Sequence, residues 1–361
     1  MMPAPARAPS PSLRAPSFRG ARLVSRRASV VVSPPRRRAS SRAAASSSDG
    51  DAPAAGAPLP LRVAVSGAGG RTGSLVMKLL ASDPASFAPP RGLVRSPKSA
   101  DKLRGTLRDA VPDFSDARVE IVEGDVGSDS DLDRLCADRD ALVVLTSAVP
   151  KPKIPSLLVA LVSKIVPWME ARRPEFYFPE DGSPERVDWL GQKAQVDAAA
   201  RSGSVRRVVI VSSMGGTQVD NFLNTMGGGG DVGSANILLW KRKAEMYLVA
   251  RSPELEHVVV HPGGLLDKPG GERELLVGVD DRLLDGDRRS VPRADVARVV
   301  CGALLDPSAV AVSFDLASRE PGEGDRGPTR TNEDVAELIA SLRGETANYS
   351  KPGKKSPVPL P

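Results

Sequence analysis

Residues 63–66, Val-Ala-Val-Ser, run directly into Gly67-Ala68-Gly69-Gly70-Arg71-Thr72-Gly73, and the Leu75, Val76, Leu79 and Leu80 that follow fall on one face of a helix. A strand, a glycine turn and a helix in that order form a cradle for the pyrophosphate of a dinucleotide. In this reading Gly67 permits the tight turn, and Gly70 lets the backbone approach the pyrophosphate at the positive end of the helix. Gly73 lets helix and strand pack closely. The other reading is a glycine turn used only for packing. The end of the second strand chooses the dinucleotide, because an NAD site places Asp or Glu about twenty residues beyond the glycines to hold the ribose 2′-hydroxyl. Here Arg95 stands twenty-two positions after Gly73. With Ser96, Arg71 and Lys98 it supplies the charge-assisted bonds that a 2′-phosphate wants, which points to NADP(H). A solvated arginine at a strand end is the alternative.

The elements that must hold this loop recur along the chain. Apolar strand-like runs occur at 61–66, 92–95, 119–122, 141–145, 207–211, 256–261 and 311–315, several of them continuous rather than alternating. Helix patterns fill 73–81, 129–136, 188–201, 236–251, 293–305 and 332–342, with Asp129 and Asn332 as capping residues for two of them. The alternation predicts one α/β domain over 61–345, a doubly wound parallel sheet with a small substrate-cleft subregion.

Composition bounds what else the chain can be. At 361 residues and 40% hydrophobic it has material for a full core. The net charge of +6 misleads, since residues 1–48 carry ten arginines and no acid, leaving 40 basic against 44 acidic groups. The body gives no electrostatic sign of nucleic-acid binding. The leader, rich in Ala, Ser, Pro and Arg, has the composition of an organellar transit peptide, with a permanently disordered basic arm as the other reading. Residues 49–60 read as a linker. Cys136 and Cys301 offer neither a disulfide framework nor a zinc cluster, so no metal site is expected. The apolar segment 154–168 holds Lys164 and two prolines and is too short to span a bilayer, so it reads as a packed helix or a lid. Residues 221–234, with four glycines in a row, read as a mobile loop, and the tail 346–361 as an extension without structure.

The glycine loop, Gly92-Leu93-Val94-Arg95-Ser96, Thr146-Ser147-Ala148-Val149-Pro150, residues 187–193, Ser212-Ser213-Met214-Gly215-Gly216, residues 236–245 and residues 263–268 together resemble an atypical short-chain dehydrogenase/reductase group, the NmrA-like NAD(P)-binding Rossmann proteins of plants. The resemblance spans nearly all of 61–345 and implies a Rossmann fold, NADP binding and a chloroplast address in the stroma. It also implies roles. The loop residues Gly67, Gly69, Gly70, Arg71, Thr72 and Gly73 hold the pyrophosphate, and Asp125 and Val126 lie at the adenine. Thr146, Ser147 and Ala148 lie against the cofactor, Lys243 bonds the nicotinamide ribose, and Pro262, Gly263 and Gly264 form the turn beside the carboxamide.

Most members of that superfamily use Tyr-x-x-x-Lys, in which the lysine lowers the phenol pKa for proton transfer. The tyrosines here are Tyr177, Tyr247 and Tyr349, and four residues after them stand Asp181, Arg251 and Gly353. The motif is absent, and with Lys243 as the family lysine its tyrosine position is Leu239. Two readings follow. One is an NADPH-dependent reductase of a small acceptor, such as a quinone or an enone, with Lys243 and Ser213 orienting or polarising it. The other is a binding module that passes the redox state of NADP(H) to a plastid protein partner. His257 and His261 read as packed or surface imidazoles rather than ligands. Lys241 and Arg242 read as a partly solvated helix face that could line an anionic substrate. Asp188, Gln192, Asp197 and Arg201 read as an exposed stripe, with Gln192 the one to face a cofactor.

Overall fold

The computed structural model describes residues 59–165, 170, 174–227, 235–324, 327–352 and 356–359. The leader, nearly all of the linker and the glycine run from Gly228 lie outside the described residues. The elements follow in chain order: β1 (Val63–Ser66), α1 (Arg71–Ser82), β2 (Arg91–Val94), α2 (Pro97–Ala110), β3 (Glu120–Glu123), α3 (Asp129–Cys136), β4 (Ala141–Val144), β5 (Lys151–Pro152), α4 (Ile154–Ile165) and β6 (Phe176–Tyr177). A π-helical turn over Glu185–Gly191 leads into α5 (Gln192–Ser202). Then come β7 (Arg207–Val211), α6 (Ile237–Val249), β8 (Glu256–Pro262), β9 (Gly264–Leu266), β10 (Glu274–Gly278), β11 (Ser290–Pro292), α7 (Arg293–Leu305), β12 (Val312–Arg319) and α8 (Asn332–Ala340).

Eight strands form one sheet in the order β10-β12-β8-β7-β4-β1-β2-β3. All neighbours are parallel except β10, which runs antiparallel to β12. Two cores explain the continuous apolar strands. Val63, Val65, Val143, Val209, Val258 and Val260 face α1, α2, α7 and α8, while Ala64, Leu142, Val144, Val208, Ile210 and Val259 face α3, α5 and α6. Each strand is covered on both sides, as a doubly wound sheet requires. The chain order reverses between β1 and β4, where a ligand crevice opens at the carboxyl ends of the strands.

Some elements depart from the sequence expectation. Helix α2 begins with Ser96 accepting from the Ser99 amide and with proline at its first position, and it buries Ala100, Leu103 and Leu107. That helix was not expected, because only three of its fourteen residues carry the apolar stripe. The caps of α3 and α8 are Ser128 and Thr331, each one residue before the acid or amide expected, and Thr331 shares a capping box with Asp334. Strand β12 runs on to Arg319, past polar Ser313, Asp315 and Ser318, which are buried in the sheet.

Two further expectations are corrected. Of segment 154–168, read as a packed helix or a lid, residues 154–165 are helical and packed only through Ala160 and Ser163, since Ile154, Leu158 and Leu161 remain 71%, 58% and 59% exposed, and residues 166–168 lie outside the described residues. The tail does not simply extend, because residues 347–351 bond back onto the body. The Ala347 amide donates to the Ser313 carbonyl at 2.9 Å, the Asn348 amide to Asp280 at 2.7 Å, and the buried Tyr349 hydroxyl to Ser313 at 2.9 Å. Short polar segments of this kind are held by side-chain partners distant in sequence, which local pattern does not display.

Candidate functional site

The site is built from the carboxyl ends of β1, β2, β4, β7 and β8. Gly67 leaves β1 at φ +67°, and a Cβ there would stand 2.9 Å from the Leu145 carbonyl carbon, so the loop presses directly on the end of β4. A Cβ on Gly73 would stand 2.1 Å from the Gly67 carbonyl oxygen, so the first turn of α1 lies against the loop. Gly70 occupies the N-cap position without a side-chain cap, and no acid stands in the first turn of α1. The first amides of α1 therefore keep unspent donors at a positive helix end, the arrangement that receives a phosphate.

The second-strand residues stand beside this loop. A Cβ on Gly69 would lie 3.4 Å from Val94 and 3.7 Å from Ser99, which places the loop against the turn from β2 to α2. Arg95 on that turn is exposed and forms no ion pair among the described residues. Arg71 is engaged differently from the sequence expectation, pairing with Asp267 beyond β9, which also accepts from Arg293 at 2.7 Å. Asp125 is exposed and closes a turn by accepting from the Gly127 amide at 2.7 Å, while half-buried Val126 borders Gly191 of the π-helical turn.

At the end of β4, where Thr146 and Ala148 were expected against a cofactor, a polar cluster takes in Asp188 and Gln192 of the expected exposed stripe. The Thr146 carbonyl accepts from Gln192 at 3.2 Å, and the Thr146 hydroxyl accepts from Gln195 at 3.1 Å. The Ala148 amide donates to Asp188 Oδ2 at 3.0 Å, and Asp188 Oδ1 pairs with Lys241 Nζ at 2.7 Å. Ser147 stays exposed between them. Asp188 and Gln192 are 0% and 1% exposed, so the expected stripe holds only for its far end at Arg201. The cause is the π-helical turn, whose extra residue per turn rotates Asp188 toward β4 and breaks the 3.6-residue phase.

Lys241 is the lysine at this end of the sheet. Lys243, expected at the nicotinamide ribose, has its Nζ 4.7 Å from the ring centre of Trp189, the neighbour of Asp188 on the π-helical turn, and 5.4 Å from that of Trp240. Two positions on a helix differ by about 200°, so both cannot face the sheet. Four residues before Lys241 stands Ile237, so the proton-moving phenol is missing in this register too.

Beside β7, β8 and β12 lies a second buried network. His261 Nε2 meets Glu245 Oε2 at 3.0 Å, His261 Nδ1 stands 3.5 Å from Asp315, and Ser212 donates to Glu245. Arg242 lies 3.5 Å from Glu245, stacks 4.1 Å from the Tyr349 ring centre and donates to the Asn348 carbonyl at 2.7 Å. The charged forms survive burial because they are paired. Desolvation alone would raise Glu245, but the charges of His261 and Arg242 and the Ser212 bond hold it at about 2. Desolvation likewise opposes a charged His261, and Glu245 and Asp315 outweigh it, lifting the imidazole from 6.5 to about 9. Arg242 is thus a buried structural cation rather than a solvated one.

The pair sets a pH dependence. Stability from His261 is fully present below its ordinary 6.5 and is lost as pH rises through about 9. That from Glu245 is present above its ordinary 4.5 and is lost as pH falls through about 2. Urea unfolding measured across pH is therefore expected to show a declining limb from pH 6.5 to 9 that His261→Gln removes. A limb unchanged in that variant would contradict the pairing.

Ser213 follows this network at the end of β7. Its hydroxyl donates to the Met214 carbonyl at 3.0 Å, and it borders a cavity of about 10 Å³ shared with Thr217, Arg242 and His261. After β8, Pro262 accepts from the Met214 amide at 3.1 Å, and a Cβ on Gly263 would stand 2.0 Å from the Arg289 carbonyl oxygen. The Gly264 amide donates to that same oxygen at 2.7 Å, so this turn is locked between the ends of β7 and β11. Both cysteines are buried, and desolvation pushes their thiols up to about 12. Neither is a reactive thiol.

A parallel doubly wound sheet with a glycine cradle at its switch point defines a Rossmann-type NAD(P)-binding protein. The family model described as NAD(P)H-binding matches residues 67–307, and the chain belongs to that family. It is 42% identical over 271 residues to "Uncharacterized protein At2g37660, chloroplastic" of Arabidopsis thaliana, covering 75% of this chain and 74% of that one. It is 41% identical over 272 residues to "Sanguinarine reductase" of Eschscholzia californica, covering 73% of this chain and 92% of the relative. Among solved structures, a Rossmann-fold NAD(P)-binding family protein from Shigella flexneri aligns at 16% identity and TM-score 0.46, over 75% of this chain and 99% of the other.

Proposed function

We propose that the protein is an NADP(H)-dependent reductase of a small acceptor, such as a quinone, an enone or another carbonyl compound, working in a plastid. The observation that carries the reading is the buried Lys241–Asp188 pair, 2.7 Å apart and tied through Ala148 to the end of β4. A cation is held there beside the crevice at the cost of burying its partner, which packing alone does not require. NADPH, when bound, supplies the hydride.

The amides at the start of α1 and the loop Gly67, Gly69, Gly70, Thr72 and Gly73 would hold the pyrophosphate, and Arg95 with Ser96 and Lys98 the 2′-phosphate. Asp125 and Val126 would flank the adenine, and Thr146, Ser147 and Ala148 would lie along the far half of the cofactor. Lys241 takes the ribose-orienting role read from sequence for Lys243, and Pro262, Gly263 and Gly264 would border the carboxamide. Ser213 donates a hydrogen bond to the acceptor oxygen, and water supplies the proton that a phenol would otherwise give. The 41% identity to a relative named as a reductase supports the reaction class. The chloroplastic relative and the arginine-rich leader, read as a transit peptide, support the plastid address.

Ile237 at the phenol position favours a second reading, a module that senses NADP(H) and passes its state to a protein partner. Nicotinamide absorbance followed with NADPH and a panel of quinones, enones and aldehydes separates the two. Turnover is expected, at least tenfold lower in the neutral pair Asp188→Asn with Lys241→Met and retained in Lys243→Ala. Tight NADPH binding without turnover on any acceptor would overturn the reductase reading.

A further inference from the structure

Helix α4 carries an apolar face that nothing in the fold covers. Ile154, Leu157, Leu158, Val159, Leu161 and Val162 are exposed, while Ala160 and Ser163 are buried and mark its inner side. At about 100° per residue, the six exposed side chains sweep an arc of about 200°. A helix seated in a protein groove or bundle presents a narrower stripe, about 100° wide. A helix that lies in the plane of a lipid interface sets such an apolar face at the boundary of headgroups and acyl chains, with basic side chains beside it.

Charge points the same way. From 151 to 165 the sequence has Lys151, Lys153 and Lys164 and no acid. Lys153 pairs with Glu175 at 3.1 Å, and Lys151 is exposed with no ion pair among the described residues. A recess of about 880 Å³ beside Lys151, Ile154, Val159 and Tyr177, lined also by the Lys153–Glu175 pair whose charges offset each other, leaves room for a headgroup at the start of the helix. Among the described residues no helix is long and apolar enough to cross a membrane. Elsewhere on the surface, Val149, Leu190 and Phe222, from segments following β4 and β7 and from the π-helical turn, are exposed apolar residues as well.

We propose that α4 docks the protein peripherally on an anionic lipid surface, with its apolar arc at the boundary of headgroups and acyl chains and Lys151 among the headgroups. The proposal stands on the helix alone and holds whether or not the bound dinucleotide is turned over. It is tested by flotation of the full chain with vesicles of phosphatidylcholine, alone or mixed with phosphatidylglycerol, alongside light scattering of the free protein. The expected result is flotation with the mixed vesicles, reduced about tenfold in Leu158→Glu with Leu161→Glu, both exposed positions whose charge the fold tolerates. Lys151→Glu is expected to weaken binding to the mixed vesicles and leave binding to phosphatidylcholine unchanged. Nucleotide titration of each variant, expected unaltered, shows that the fold persists. A protein that stays at the bottom of the gradient with both vesicles overturns the proposal. So does a dimer in free solution that the leucine variant converts to monomer, which would assign the face to a second copy of the chain.

Discussion

Replacing Asp188 by alanine is expected to lower the unfolding free energy by about 3–5 kcal/mol, because it strands the Lys241 ammonium in a buried site. The Ala148 amide loses its acceptor in the same step, at about 1–3 kcal/mol for an unsatisfied buried donor. These contributions overlap, since both act through one carboxylate. The diagnostic variant is the neutral pair, Asp188→Asn with Lys241→Met, which keeps the shape, leaves the amide an oxygen to bond and removes both charges. Denaturant unfolding is expected to show most of the alanine loss recovered, since neutral replacement of a buried ion pair is often close to neutral in stability. Equal stabilities for the alanine variant and the parent would mean that the two groups are not paired in solution.

Arg95→Asp is expected to weaken NADPH binding by about two to three orders of magnitude, at about 1.4 kcal/mol for each factor of ten. The reasoning starts from exposure. Arg95 has no competing carboxylate among the described residues, so its guanidinium is available to a dianionic 2′-phosphate, and an aspartate there replaces attraction with repulsion. NADH lacks that phosphate and is expected to keep its affinity or gain slightly, as an acid at this position can meet the 2′-hydroxyl. Titration of both nucleotides by fluorescence decides it. Equal losses for both would remove the basis for the NADP(H) assignment.

The parts legible in the sequence are those whose signal is local. The strand entering Gly67 and the helix leaving Gly73 are contiguous, and their geometry is written in the glycines between them. Strand β7 and helices α3 and α7 match their expected bounds because each carries a full apolar face. The misreadings at the site share one physical cause, a partner far along the chain. Asp188 looks solvated until a π-helical turn rotates it inward, and Lys241 looks solvated until Asp188 is seen opposite it. Which of Lys241 and Lys243 meets Asp188 depends on the rotation of α6, which the alternating Lys-Arg-Lys run does not reveal. The His261 network brings β7, β8, β12, α6 and the tail together, and no spacing rule joins residues 212, 245, 261, 315 and 349. Leu93, by contrast, is buried where its strand pattern put it, because adjacent strands need no distant information.

The hold of Arg242 on the Asn348 and Lys351 carbonyls ties the middle of the chain to its last residues. During synthesis, the glycine-loop half of the sheet, from β1 to β4, has its partners early. The half around α6 cannot close its charge network until residues 348–351 have been made, so a chain stalled or clipped before them would carry the dinucleotide cradle without a finished neighbour.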